Sequence, residues 1–194
     1  MLVVIVKESR VARDVRGRMV EGAAVLLAKH GLQATSFSEV LKATGAPRGS
    51  IYHHFPEGKD QLVGSALDLV SGRMLELLEQ QAGKSAEEVT RHVLDMWRYV
   101  LERSHFSAGC AVLAVTVAAD SKALLDQAAA VFRTWRERLA ALYGAAGWPS
   151  DRAARFAAMV IASSEGAVVM SRAEQSIEPF ELVAADLLEQ SRRA

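Results

Sequence analysis

Residues 36–55 read SFSEVLKATGAPRGSIYHHF, and this stretch decides the fold. Ser36 and Glu39 have the spacing of a capping box, which predicts the start of a helix. Gly45 ends that helix, because glycine adopts the left-handed conformation that closes helices. Pro47 then predicts the start of a second helix, since proline is favoured in the first helical turn. The stretch is therefore a pair of short helices joined by a tight turn.

The second helix, expected from Pro47 to His54, is about two turns long and too short to be stable alone. Ile51 and Phe55 lie four residues apart and predict its buried side. Its other side carries groups that suit nucleic acid, namely a guanidinium, small residues, hydroxyls and an imidazole; these are Arg48, Gly49, Ser50, Tyr52 and His53. Two interpretations stay open: a DNA-reading helix-turn-helix, and a surface helical hairpin whose polar residues face water.

The composition predicts an all-helical fold. Leu, Ala, Val, Glu and Arg dominate the 194 residues, and there are only four prolines. This length permits one domain, or a small domain fused to a larger one. The net charge is zero, but residues 1–60 hold nine basic and six acidic residues (+3), while residues 61–194 hold fourteen and seventeen (−3). A mildly basic head suits nucleic-acid contact, although ordinary scatter gives the same imbalance.

Targeting and redox signals are sparse. The single cysteine excludes an intrachain disulfide and fits a reducing cytoplasm. The apolar run at residues 2–6, LVVIV, is too short for a signal peptide or a membrane span. No segment is expected to reach transmembrane length. We therefore predict a soluble, cytoplasmic protein that has no membrane partner.

An apolar stripe predicts a helix from Arg10 to His30, ending at Gly31 and bracing the helical pair. Four arginines lie near its start, and they form either a solvated face or a contact with phosphate or the minor groove; they are Arg10, Arg13, Arg16 and Arg18.

Lys59 opens a long helix, expected from Asp60 to Gln81. Helix N-termini attract phosphate, and a lysine beside one adds charge. At 1.5 Å per residue this helix spans about 30 Å, long enough to connect a head to a body. We therefore predict a three-helix head at residues 1–58, with an ordered core at 10–58, and a larger helical body at residues 59–194, giving about nine helices in all.

The remaining chain reads as further helices. Ser85 and Glu88 repeat the capping-box spacing before a helix that reaches Ser104. Residues 110–119, CAVLAVTVAA, are apolar on all sides and form either a buried helix or a strand; we favour the helix because the surroundings are helical. Long helices follow from Asp120 and Ser150, and a last helix begins at Glu178.

No catalytic or metal motif is evident. His53 and His54 are adjacent, so on a helix their rings diverge, and neither is followed by a His or Cys at metal-ligand spacing. No nucleophile elbow, zincin, phosphate-binding-loop or dinucleotide-binding pattern is present. We therefore expect no enzyme activity, no cofactor and no metal. Cys110 is either a small buried hydrophobe or a redox or pocket thiol.

Residues 31–62, GLQATSFSEVLKATGAPRGSIYHHFPEGKDQL, resemble the N-terminal DNA-binding domain of TetR-family transcriptional regulators. The Gly, Thr-Ser, Gly-Ala, RGSIYHHF and Lys-x-x-Leu positions are all in register. Residues 105–120 and 164–180 resemble the C-terminal domain of the LmrA/YxaF-like branch, with Ala111 standing where that branch usually has proline. The resemblance implies that the head at residues 1–58 is a helix-turn-helix DNA-binding domain and that the body at residues 59–194 is a ligand-binding and dimerisation domain. It also implies a homodimeric repressor that a small apolar, drug-like or flavonoid-like molecule releases from a double-stranded DNA operator.

Three sets of site residues are predicted. Arg48 and Ser50 are expected to face bases, and the phosphate role of Lys59 is implied by the resemblance. The DNA-binding set is Ser36, Pro47, Arg48, Gly49, Ser50, Tyr52, His53 and Lys59. The ligand-pocket set is Met96, Trp97, Phe106, Cys110, Phe132, Trp135, Met159 and Met170; the alternative is that these residues only pack in the hydrophobic core. The dimer-interface set, which would otherwise pack within its own domain, is Phe156, Val160, Ser164, Ala167, Phe180, Val183 and Leu187.

Two other functions stay open. The chain could be a helical ligand-binding protein that does not bind DNA, which would give no specific gel shift. It could also be a small helical enzyme, which would turn over its bound ligand.

Overall fold

The computed structural model describes residues 15–192, and every regular element in that range is an α-helix. The all-α prediction is confirmed. The nine helices of the described range are α1 (Val15–Ala34), α2 (Phe37–Thr44), α3 (Ser50–His54), α4 (Lys59–Glu79), α5 (Ala86–Arg103), α6 (Ala111–Thr116), α7 (Lys122–Ala145), α8 (Ser150–Glu174) and α9 (Glu178–Arg192). The expectations for residues 1–9, Arg10 and Arg13 lie outside the described residues.

The start and end of α2 follow from local chemistry. The Ser36 hydroxyl accepts a hydrogen bond from the Glu39 backbone N–H at 3.2 Å, so Ser36 is the N-cap. Gly45 closes the helix at φ 65°, and its N–H donates to the Leu41 carbonyl. Both predictions are confirmed.

Helix α3 begins later than predicted. The Ser50 N–H and hydroxyl both donate to the Pro47 carbonyl, at 3.0 and 2.6 Å, so residues 47–50 form a tight turn before the helix. The expected start at Pro47 is therefore wrong, and α3 has only five residues, Ser50–His54.

Helix α1 is interrupted where its end was predicted. Gly31 has φ 79° and ψ 178°, which breaks the helical path, and a short helical segment then continues to Ala34. The Thr35 hydroxyl donates to the Gly31 carbonyl at 2.8 Å and fixes the approach to α2.

The described chain divides into two compact units. Unit A comprises residues 15–72 and 110–131, and unit B comprises residues 73–109 and 132–192. The chain passes from one unit to the other inside α4, between α5 and α6, and inside α7. The expected domain boundary after residue 58 stays a prediction.

In unit A, α1 packs against α2, α3 and α6. Its fully buried core includes Met19, Leu27, Val40, Ile51 and Phe55. Helix α6 is a helix rather than a strand, as favoured, but it ends at Thr116, and Val117 is exposed. The Cys110 thiol caps it by accepting from the Leu113 N–H at 3.4 Å.

In unit B, α5, α8 and α9 pack together. Helix α5 opens with the predicted capping box between Ser85 and Glu88, both halves of which form. The Tyr143 hydroxyl is buried and hydrogen-bonds with Thr90 at 2.9 Å. Burial raises the pKa of Tyr143 well above its ordinary value, so the group stays neutral.

An ion pair joins α5 to α9. The Arg98 guanidinium donates through two nitrogens to the Glu181 carboxylate, at 2.5 and 2.8 Å, and lies 5.9 Å from the centre of the Phe180 ring. These hydrogen bonds lower the pKa of Glu181 below the ordinary value of 4.5. A carboxyl with a depressed folded-state pKa adds stability above its unfolded pKa, and this is lost as the pH falls through the folded value.

We expect Glu181→Gln to melt below the wild type at pH 7 and close to it at pH values well under 4.5. The gap at pH 7 should be small, because the Glu181 side chain is 42% exposed and solvent screens the pair. Circular-dichroism melts across this range measure the gap. Glu102→Gln, on the exposed side of α5, is the control. A difference in melting temperature between Glu181→Gln and the wild type that does not change with pH would contradict the lowered pKa of Glu181.

Candidate nucleic-acid interface

Helix α3 presents its polar side to solvent. Tyr52 is 72% exposed, while Ile51 and Phe55 are 1% and 0% exposed. Ser50 is half-buried and His53 is exposed, as are Pro47, Arg48 and Gly49 in the turn that precedes α3. Residues 47–54 thus keep their polar groups outside because Ile51 and Phe55 are buried beneath them.

Arg16 holds the base of α3. Its guanidinium lies 5.4 Å from the centre of the Phe55 ring and donates to the Ser65 hydroxyl at 3.1 Å. The cation and the ring attract one another, which fixes the C-terminal end of α3 relative to α1 and α4. Arg16 is itself exposed, and Arg18 is exposed beside it.

Ser36 and Lys59 both make hydrogen bonds close to the start of α2. The Ser36 hydroxyl is occupied by the Glu39 N–H and by the Ser38 hydroxyl, 2.8 Å away. The Lys59 ammonium donates to the Leu32 carbonyl at 2.7 Å. An ammonium has three donors, so two remain for a phosphate.

Lys42 is a cation that the sequence reasoning missed. It is exposed in the last turn of α2 and borders the same cleft as Arg48. The signal available was a basic residue just before the Gly45 turn, which a helix-turn-helix brings beside the second helix.

The rings of the two adjacent histidines lie close together. The His53 and His54 rings are 5.0 Å apart and inclined at 66°. Within residues 15–192, no group of three or more His, Cys, Asp or Glu side chains is arranged to hold a metal ion.

Residues 19–66, which contain this surface, match the family model for bacterial regulatory proteins of the tetR family. Residues 86–186 match the model for the C-terminal domain of LmrA/YxaF-like transcriptional regulators. An uncharacterised HTH-type transcriptional regulator of Mycobacterium tuberculosis H37Rv, Rv0196, is 35% identical over 87% of this chain and 89% of its own length. The chain belongs to the TetR family.

Two further similarities agree with this. The uncharacterised HTH-type regulator YxaF of Bacillus subtilis is 25% identical over 90% of this chain and 93% of its own. A crystal structure of a TetR transcriptional regulator from Legionella pneumophila shares the fold, with a TM-score of 0.83, 20% identity, and 94% and 99% of the two chains covered. The protein is therefore a TetR-family helix-turn-helix transcriptional regulator that binds operator DNA, and its family is not enzymatic.

The residues predicted to line a ligand pocket occupy different environments. Met96, Trp97, Cys110 and Trp135 are buried, while Phe106, Phe132 and Met159 are half-buried. Met170 is 45% exposed on the outer side of α8, so it does not fit an interior pocket. Cys110 belongs to unit A, where it caps α6, whereas the other seven belong to unit B.

The residues predicted for the dimer interface are mostly interior in this TetR-family chain. Six of the seven are at most 5% exposed, and Val183 is half-buried. They lie within α8 and α9, the helices that pack on each other in unit B. Their side chains offer little surface to a second chain. The large apolar residues that are exposed on the same helices are instead Val169, Met170 and Leu182.

Helix α8 corrects one expectation. Its 25 residues include an 18-residue window of mean hydropathy 1.4, so by length and composition it could span a membrane. In the structure it packs against α5 and α9, and 44% of that window is buried. Core helices of soluble proteins pass the same test, and a TetR-family core helix accounts for α8.

Proposed function

We propose that the protein is a cytoplasmic, homodimeric repressor that a small apolar molecule releases from its operator. One observation carries the DNA-binding half of the proposal: the polar side of α3 is exposed, with Tyr52 at 72%, while Ile51 and Phe55 are locked into the core of unit A. A recognition helix must offer its side chains to base edges without bending away, and this packing meets that need.

The DNA-binding residues divide into two roles. Arg48 can donate two hydrogen bonds to a guanine, and Ser50 can contact an adjacent base. Pro47 is compact and Gly49 has no side chain, so the backbone can approach the groove there. Phosphate contacts fix the register but carry no sequence information; we assign these to Ser36, Tyr52, His53 and Lys59.

The dimer proposal rests on an exposed apolar surface. Leu182 is 68% exposed, Val169 51% and Met170 45%, all on α8 and α9. Covering such residues removes apolar area from water, which favours association. Two copies related by a two-fold axis would read successive major grooves if their α3 helices lay about 34 to 36 Å apart, one turn of B-DNA.

The effector proposal rests on unit B. Trp135 Nε1 and Ser164 Oγ are buried, and neither has a hydrogen-bond partner in the described residues. Such groups cost free energy when left unpaired, so a ligand carrying an acceptor would gain by reaching them. The rings of Phe132 and Trp135, whose centres are 5.7 Å apart, give such a ligand an apolar surface to contact. The ligand releases DNA only if it binds one conformation better than the other.

A gel shift with DNA flanking the protein's own gene tests the proposal, repeated with a panel of apolar compounds that raise the melting temperature of the dimer. We expect a specific shift that at least one stabilising compound abolishes. Compounds that stabilise the protein without any specific DNA shift would instead support the helical ligand-binding protein.

We expect Lys59→Ala to weaken binding to all duplexes alike and to lower the slope of log affinity against log salt by about one per subunit, because one phosphate contact is lost. Lys59→Arg should keep the slope, since it keeps the charge. Lys122→Ala, 86% exposed on α7, is the control. Lys59→Ala also loses the hydrogen bond to the Leu32 carbonyl. Thermal melts of the variant show whether that loss destabilises the fold, apart from the effect of the lost charge on DNA binding. An unchanged slope in Lys59→Ala would contradict the phosphate role.

A further inference from the structure

Helices α2 and α3 enclose a cleft of about 450 Å³ on the exposed side of the helix-turn-helix. Its floor is apolar and its rim is cationic. Phe37, Leu41, Ala46 and Ile51 form the floor, Lys42 and Arg48 stand on the rim, and Ser38 and Tyr52 complete the lining. We call this the α2–α3 cleft.

The floor is preformed. Ile51 and Ala46 are 1% and 8% exposed, so their positions are fixed by the core of unit A. Phe37 is held from one side by Tyr52, whose ring meets it edge-on at 85° with the ring centres 5.9 Å apart. A ligand entering the cleft therefore meets an existing apolar surface and does not have to create one.

The rim indicates the kind of ligand. Lys42 and Arg48 are both exposed, and the latter is the side chain best suited to a guanine edge. A polyanion drawn to these cations would cover the apolar floor as well. Phosphates and most base edges are polar and gain nothing from such a floor. The apolar group that the major groove does present is the 5-methyl of thymine, which proteins contact with alanine and phenylalanine side chains.

We propose that the α2–α3 cleft reads the 5-methyl group of a thymine in each half-site, beside the base pair that Arg48 contacts. Phe37, Leu41 and Ala46 are then specificity-determining residues. This inference rests on the proposed DNA-binding function and adds to it one defined base preference.

The first experiment uses an operator selected by the purified wild-type protein from a random-sequence duplex library. Each thymine of the selected duplex is replaced in turn by deoxyuridine, which lacks only the methyl group. We expect replacement at one thymine per half-site to weaken binding about fourfold, the value of one buried methyl-sized group. Replacement at the other thymines should leave the affinity unchanged.

A variant then locates the methyl. Leu41→Ala widens the floor, so the deoxyuridine substitution should cost this variant less than twofold, since the contact is already lost. Leu125→Ala, partly exposed on α7, should keep the full effect. If the deoxyuridine substitution weakens binding fourfold in Leu41→Ala as in the wild type, the methyl group does not contact the cleft and the inference is overturned.

A wild-type measurement guards against a variant that does not fold. 5-Iododeoxyuridine at the sensitive thymine puts an iodine where the methyl was, and ultraviolet light crosslinks it to the nearest side chain. We expect mass spectrometry to find the crosslink on Phe37 or Tyr52. A crosslink outside the α2–α3 cleft overturns the inference.

The outcomes distinguish the two proposals. A specific operator in which no thymine is sensitive to loss of its methyl overturns the inference and leaves the repressor proposal intact. Failure to select any specific duplex overturns both.

Discussion

Gly22→Ala is expected to destabilise unit A by about 1–3 kcal/mol, the usual cost of forcing an extra group into a packed contact. A Cβ atom at Gly22 would lie 2.4 Å from the Thr44 Cγ2 methyl, which no van der Waals contact permits. Thr44 cannot easily turn away, because its hydroxyl donates to the Val40 carbonyl at 2.7 Å and accepts from the Ala46 N–H at 3.4 Å. Helices α1 and α2 must therefore separate.

Two further variants make this prediction specific. Gly72→Ala, inside α4 with no atom within 4 Å of its new Cβ, should gain about 0.5–1 kcal/mol from helix propensity. Thr44→Ser removes the clashing methyl and keeps the hydroxyl, so Gly22→Ala with Thr44→Ser should recover most of the loss. Urea denaturation measures all four proteins. Equal stability of Gly22→Ala and Gly72→Ala would show that the α1–α2 contact is looser than described.

Leu182→Asp is expected to dissociate the proposed dimer and so to remove most of the affinity for the operator. Leu182 is 68% exposed on α9, and an aspartate there would have to lose its hydration inside the proposed interface. We expect the dissociation constant of the dimer to rise by at least roughly 100-fold, which corresponds to about 2.7 kcal/mol. Sedimentation velocity over a concentration series measures it.

Val117→Asp is the matched control for Leu182→Asp. Val117 is 75% exposed, but it lies at the end of α6, outside α8 and α9. It should leave the oligomeric state unchanged. If the Leu182→Asp protein remains dimeric at the concentration at which the wild type is dimeric, then α9 is not part of the interface.

The sequence predicted the features that depend on near neighbours. The Ser36 cap, the Gly45 stop and the Ser85–Glu88 capping box each involve residues a few positions apart, and each formed as expected. The outward side of α3 could also be predicted, since Ile51 and Phe55 recur at helical spacing.

Features set by distant parts of the chain could not be predicted in this way. The need for glycine at position 22 comes from Thr44, and the Lys59 ammonium bonds a carbonyl 27 residues earlier. The packing of α6 against α1 joins segments far apart in sequence.

Helix α8 shows a different limit. It is apolar on several sides, so periodicity could not show which residues face its own unit and which face a second chain, and six of the seven residues predicted for the dimer interface are buried within the single chain. In the same way, nothing in the order of residues 47–50 distinguished a helical first turn from the tight turn that is present.

Fluorescence anisotropy tests the central claim, that the exposed side of α3 reads DNA sequence. The purified protein is titrated, at one salt concentration, into the selected operator duplex and into a duplex of the same bases in shuffled order. We expect the operator to bind roughly 1,000-fold or more tightly, and Arg48→Ala to lose much of that preference while keeping its binding to the shuffled duplex. Equal affinity of the wild type for the two duplexes would contradict the account.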